Sequence, residues 1–144
     1  MPLDWTISHD ERLVTLKSEG ALRYDEIERY LACVSAEGAM PYRKLFDARG
    51  GRSELNEQQM MSYAGSMSGY SQRDPLGPYA VVVGTDRGRA HEPLLRLLIL
   101  TRKQRPIRMF LDADEARDWL CKQPAPWEAN WLGGLCQHGQ APAS

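Results

Sequence analysis

The sequence predicts an α/β domain, a layered sandwich in which a mixed sheet of about five strands carries about four helices. Two observations predict this class. Short β-prone runs alternate with amphipathic segments of helical period through most of the chain. Residues 79–83 also form a continuous apolar run, which is typical of a central strand covered on both faces. The 144 residues suit one domain, predicted at 1–122 and followed by a tail at 123–144.

The chain begins with a predicted hairpin and a first helix. Residues 5–8 and 13–16 are β-prone runs joined by a polar turn, so they are expected to pair as antiparallel strands. Apolar residues then recur at helical spacing, and Gly38 is expected to end this helix. The predicted apolar face of the helix consists of Ile27, Tyr30, Leu31 and Val34.

A third strand and a second helix are predicted in the middle of the chain. Residues 42–47 form the strand, and the glycine-containing stretch 48–52 is predicted to be a turn. The helix is predicted to begin at Asn56, with Gln59 as its capping partner, and to end near Gly69. Its predicted apolar face consists of Met60, Tyr63, Ala64 and Met67.

The second half of the chain alternates strand and helix, which calls for right-handed parallel crossovers. The core strand at 79–83 is followed by a third helix, predicted to start at Glu92-Pro93 and to run to about Lys103. Residues 107–111 form the last predicted strand.

A final helix and a tail complete the predicted order. Asp112 with Glu115 indicates the start of the helix. The helix is predicted to bury Ala116, Trp119 and Leu120. The tail is predicted to contain a short helical turn with Trp127 and Trp131, which are four residues apart.

Composition restricts the classes of partner and compartment. The formal net charge of −1 gives no general reason to expect nucleic acid as a partner. The beginning of the chain lacks the pattern of a signal peptide, and the apolar stretch 94–100 is interrupted by Arg96 and too short to span a bilayer. A cytoplasmic protein without a transmembrane segment is therefore predicted. Reduced thiols are predicted for Cys33, Cys121 and Cys136.

The residue patterns do not demand catalysis, a cofactor or a metal. The sequence has no P-loop, no dinucleotide-binding fingerprint and no GxSxG motif. Cys136 and His138 lack a second pair of ligands at a fitting spacing, so no zinc site is predicted. Distant residues can still assemble a catalytic triad in three dimensions. No catalytic, cofactor-binding or metal-binding residue is predicted.

Three stretches carry a resemblance to a known family. The predicted element order, with residues 42–50 (YRKLFDARG), 80–84 (AVVVG) and 114–120 (DEARDWL), resembles the SpoIIAA-like family of bacterial STAS-related proteins over about residues 3–122. The resemblance implies a non-enzymatic regulatory module that docks to a protein partner and is switched by serine phosphorylation. In STAS-type antagonists that serine starts the helix after the third strand, and Ser53 is close to that place here.

The first candidate site is the predicted turn after the third strand, considered either as a switch or as a ligand loop. Its residues are Asp47, Arg49, Arg52 and Ser53. Ligands of open α/β sheets tend to bind at the carboxyl ends of strands. A phosphate on Ser53 would have both arginines nearby. The alternative is a tight turn with solvated side chains.

The second candidate is an anion-binding loop before the third helix, with Arg87, Arg89 and His91. The free amides at the start of a helix favour an anion, and the cationic side chains add to that preference. The alternative is a solvated cationic rim.

The third candidate is the third helix itself, whose apolar residues extend beyond a single stripe. Leu94, Leu95 and Leu98 are candidates for a homodimer interface or for an apolar groove. The alternative is cover from a neighbouring helix or from the tail.

Three functions follow from these observations. The leading one is a non-catalytic STAS-type regulatory or protein-interaction module, expected to be a homodimer. The second is a binding protein for a small apolar or amphiphilic ligand, with Arg87, Arg89 or His91 at its polar head. The third is an enzyme, which would require groups such as Asp47 and His91 to converge in one cleft.

Overall fold

The structure, a computed structural model, describes residues 3–100 and 105–124. Within them the strands form one sheet of order β1-β2-β3-β4-β5, in which β1 and β2 are antiparallel and the other neighbours are parallel. The predicted fold class is confirmed. The elements are β1 (Leu3–Ser8), β2 (Leu13–Leu22), α1 (Tyr24–Ala36), β3 (Arg43–Ser53), α2 (Glu57–Arg73), β4 (Tyr79–Val82), a 3-10 turn (Arg89–His91), α3 (Glu92–Leu100), β5 (Ile107–Phe110) and α4 (Ala113–Lys122).

Helices cover both faces of the sheet. Val81 of β4 packs in the larger apolar cluster, to which α1, α2 and α3 contribute. Ala80 and Val82 point the other way and pack with Ala116 and Leu120 of α4. Since all of β4 is buried, the prediction of a central strand covered on both faces is confirmed.

The predicted capping residues are found at the helix ends. Asn56 Oδ1 accepts a hydrogen bond from the Gln59 amide at 2.8 Å, and Gln59 Oε1 accepts one from the Asn56 amide at 3.0 Å. The Asp112 carboxylate accepts a bond from the Glu115 amide at 3.0 Å. Gly38 follows α1 with φ of 70°, a conformation that glycine adopts without strain.

The second helix differs from its prediction in length and in buried surface. It continues to Arg73, because Gly69 lies on the solvent-exposed side, where a glycine lowers helix stability without breaking the helix. Tyr63 and Met67 are buried, whereas Ala64 is exposed.

Two predicted features lie outside the described residues. These are the end of the third helix near Lys103 and the helical turn with Trp127 and Trp131. No helix within residues 3–100 and 105–124 combines the length and the apolar character needed to cross a bilayer.

The stretch 48–52, predicted as a turn, is a strand. It continues β3 to Ser53 because β2 also continues, to Leu22, and supplies backbone partners. Gly51 lies so close to β2 that a Cβ atom there would be 2.6 Å from Ser18 Oγ. The adjacent glycines therefore mark a close approach of two strands.

A bulge interrupts the pairing of these two strands. Lys17 lies opposite Asp47, but Glu19 lies opposite Gly50, so β3 has one extra residue. An extra residue reverses the face to which later side chains point. Ser53 is thereby directed towards His91, in the 3-10 turn that precedes α3.

Candidate functional site

A groove of about 400 Å³ lies between α3 and β5. We call it the α3–β5 groove. Its apolar lining consists of Leu95, Ile99, Leu100 and Met109. Its polar rim consists of Arg87, Arg89, Glu92 and Arg96, with Gly88 between the first two.

Apolar side chains beside the groove are open to solvent. Ile99 is 43% exposed, Leu100 71%, Met109 41% and Leu111 59%. We call these four residues the apolar strip. Exposed apolar residues that occur together usually mark a contact surface, whereas single ones need no explanation.

The arginines at the rim differ in their partners. Arg96 forms an ion pair with Glu92, one helical turn earlier. In the described parts of the chain, neither Arg87 nor Arg89 lies within ion-pair distance of a carboxylate. The rim therefore offers two guanidinium groups to an anionic partner.

Asp86 binds backbone amides of the predicted anion-binding loop. Its carboxylate accepts hydrogen bonds from the amides of Gly88 at 3.1 Å and Ala90 at 2.9 Å. These bonds lower the pKa of Asp86, so the group is anionic at neutral pH. The backbone position predicted to receive an external anion is thus filled by Asp86, and the side chains of Arg87 and Arg89 carry the cationic character.

His91 does not share the surface with these arginines. It is 1% exposed, and its Nδ1 lies 2.6 Å from Ser53 Oγ while Nε2 lies 3.4 Å from Ser18 Oγ. Its ring packs against the Phe46 ring in a T-shaped arrangement, with a centroid distance of 5.8 Å. The imidazole thus joins the start of α3 to β2 and β3, and the structure brings Ser53 and His91, predicted in separate sites, into contact.

Burial lowers the pKa of His91 and favours the neutral ring. Hydrogen bonding with the backbone of Ala48 and Gly51 and the charge of Asp86 act in the opposite direction. No carboxylate within residues 3–100 and 105–124 forms an ion pair with the ring. Protonation of His91 in the folded state is therefore unfavourable.

Acidification is accordingly expected to destabilise the fold through His91. As the pH falls below about 6.5, the unfolded chain binds this proton before the folded chain does. The free energy of unfolding should fall through that range and level off below the folded pKa. Urea titrations from about pH 8 to about pH 5 would measure this slope, which His91→Gln should reduce. An equal slope in both proteins would contradict the assignment.

The other residues of the first candidate site lie along extended β3. Arg49 donates two hydrogen bonds to Asp47, each at 2.9 Å, and these bonds lower the pKa of the carboxyl group. Arg52 pairs with Glu54 at 3.4 Å. Both arginines near Ser53 therefore already have carboxylate partners, and the segment is a strand rather than a ligand loop.

The third candidate residues lie inside the domain. Leu94, Leu95 and Leu98 are 4%, 6% and 1% exposed and belong to the larger apolar cluster. Leu95 alone of these three also contributes to the groove lining. Cover from the other elements accounts for most of the apolar surface of α3, and Ile99 and Leu100 remain exposed.

Comparison with known proteins addresses the fold. Neither a family model nor a curated protein matches the sequence. A solved structure that matches is an uncharacterised DUF3478 family protein with a SpoIIAA-like fold from Shewanella loihica, with a TM-score of 0.53 and 14% identity. The match covers 83% of this chain and 93% of that chain. This chain has a SpoIIAA-like fold. The resemblance predicted from the sequence is confirmed at the level of the fold.

Local sequence patterns do not indicate some residues of the site in this SpoIIAA-like domain. Ser18 contacts His91 across 73 positions, and no local pattern could indicate that pair. The β-prone run that contains Met109 and Leu111 predicts a strand but gives no sign that both side chains are exposed. Asp86 had a usable signal, since an aspartate shortly before a helix often binds the backbone amides that follow it.

Proposed function

We propose that this SpoIIAA-like domain is a non-catalytic interaction module that binds a protein partner at the α3–β5 groove. The observation that carries the proposal is the apolar strip, which is exposed along one edge of the described sheet. Such a surface is stabilised when a partner covers it. The exposed arginines beside it would orient the partner.

The partners of the polar side chains near His91 support a role without catalysis. Asp47 is engaged by Arg49, and Asp86 is engaged by backbone amides. His91 and Ser53 are in hydrogen-bonding contact, but Ser53 does not line the polar cleft of about 190 Å³ beside His91. A nucleophile needs room for a substrate, so this pair is better suited to holding β3 against α3.

A second candidate function is binding of a small amphiphilic anion. The groove volume of about 400 Å³ lies within the range of small-molecule sites. Its apolar lining and the guanidinium groups of Arg87 and Arg89 match an apolar body with an acidic head. The predicted homodimer is a further occupant of the same surface.

Site-specific photo-crosslinking in the native cell tests the proposed function. A photoreactive residue at Leu100, which is 71% exposed beside the groove, should give a discrete adduct with another protein. The matched control is Met61 of α2, which is apolar and 74% exposed but does not line the groove. Equal adducts at both positions, or none at position 100, would contradict binding at the groove.

Native mass spectrometry of the purified protein separates the other occupants. A bound small molecule adds mass that is released on denaturation, and a homodimer doubles the mass. Either result, together with the absence of a protein adduct at position 100, would replace the protein partner with that occupant.

A further inference from the structure

The backbone of β5 faces β4 on one side only. The amides of Tyr79 and Val83 donate to the carbonyl groups of Pro106 at 2.9 Å and Phe110 at 2.8 Å. Since successive residues of a strand alternate in direction, the intervening Met109 and the following Leu111 direct their N–H and C=O groups away from β4. The described residues place no strand on that side. Among residues 3–100 and 105–124, this edge therefore has donors and acceptors without a strand partner.

The free edge adjoins the groove. Met109, whose backbone points outwards, also lines the groove with its side chain. Ile99 and Leu100 of α3 lie on the same groove. A strand added beside β5 would direct alternate side chains to this face of the sheet, where the apolar strip could cover them.

Charge identifies the kind of strand that fits. In the described chain no carboxylate lies within 4.0 Å of the Arg87 or Arg89 guanidinium, although the charge of Asp86 acts on Arg89, whereas Arg96 is paired with Glu92. Carboxylates of an incoming segment would form ion pairs with these two exposed arginines. Pairing β5 with β5 of a second copy would instead bring the cationic rims of both protomers close together, which is unfavourable.

We propose that β5 accepts an extended segment of another protein as a sixth strand of the sheet, with both apolar and acidic side chains on the face towards α3. The proposal rests on the proposed function and names its partner by chemistry. Backbone hydrogen bonds to Met109 and Leu111 hold the segment. Its apolar side chains enter the α3–β5 groove, and its carboxylates meet Arg87 and Arg89.

A synthetic peptide tests this with the full chain. The probe has about six residues, a usual strand length, in which valine and glutamate alternate along one face with serine between them, and its termini are blocked. Amide hydrogen exchange followed by NMR should show slower exchange at Met109 and Leu111 when the peptide binds. The matched control is the same peptide with alternate backbone nitrogens methylated, which keeps the side chains but removes those donors. Binding of the methylated peptide should be lost.

Charge reversal tests the second part of the proposal. Arg87→Glu with Arg89→Glu should weaken binding of the acidic peptide by about tenfold or more. Both side chains are exposed, so the variant should fold. Arg29→Glu is the control, because Arg29 is exposed on α1, which contacts β1 at the other edge of the sheet. Its affinity for the peptide should match that of the wild type.

The outcomes separate the two proposals. Unchanged exchange at Met109 and Leu111 at saturating peptide, or equal binding of the methylated peptide, overturns strand addition. Equal binding of the same peptide with lysine in place of glutamate overturns the acidic preference. In each of these cases a protein adduct at position 100 would still support the interaction module. Failure of both the peptide and the adduct overturns both proposals.

Discussion

Replacing Leu98 with aspartate is expected to remove most of the stability of the domain. Leu98 is 1% exposed and belongs to the larger apolar cluster under α1, α2 and α3. A carboxylate there would lose its hydration without gaining a partner, and the apolar contacts of leucine would also be lost. The expected cost is about 4 kcal/mol or more. Chemical denaturation followed by circular dichroism measures this cost.

The matched control for Leu98→Asp is Leu100→Asp. Leu100 is 71% exposed on the same helix, so an aspartate there stays in water. Its effect on the free energy of unfolding should be within about 1 kcal/mol, while binding of a partner or ligand at the groove should be lost. If Leu98→Asp folded as well as Leu100→Asp, the assignment of Leu98 to the core would be wrong.

A second large effect is expected from Gly77→Ala. A Cβ atom at Gly77 would overlap the backbone carbonyl oxygens of Pro41 and Tyr42. The two loops that meet here are also joined by a bond from the Gly77 amide to the Met40 carbonyl at 3.0 Å. Because the obstacle is backbone, a loop must move to make room. The expected cost is about 3 kcal/mol, measured as a shift in the denaturation midpoint.

Lys44 opposes a movement of the loop that contains Pro41 and Tyr42. Its Nζ donates to the carbonyl groups of Ala39 at 3.2 Å, Met40 at 2.6 Å and Tyr42 at 2.8 Å, which ties the first of these loops to β3. Burial and then the charge of Arg105 lower the pKa of Lys44 well below its usual value. A shifted loop would break these bonds in a site where water cannot replace them.

Gly65→Ala is the control for the substitution itself. Gly65 lies within α2, and a Cβ atom there would meet nothing within 4 Å. Alanine has the higher helix propensity, so this variant should be more stable by about 0.5–1 kcal/mol. A comparable loss of stability in both alanine variants would contradict a specific contact at Gly77.

The elements that could be predicted have local causes. The run at 79–83 identified the central strand because four successive buried residues leave no polar face. Asn56 and Asp112 identified helix starts because their side chains bond amides only three residues away. These signals lie within a few residues of the structure that they determine.

The predictions from the sequence were wrong where a distant element supplies the backbone or packing partner. Gly50 and Gly51 suggest a turn when considered locally, but β2 lies beside them and makes the segment a strand. The leucines of α3 suggested a contact surface because their number exceeds one stripe, yet the sheet and α2 bury four of them: Leu94, Leu95, Leu97 and Leu98.

The sequence by itself determined the fold class and the order of the elements, because hydrophobic periodicity and capping act over a few residues. Only the tertiary structure decided where a site lies. It joined Ser53 to His91 through a bulge, filled the predicted anion position with Asp86, and left Met109 exposed beside Arg87. Burial and partnership depend on chain segments far apart in sequence, so no local pattern contains them.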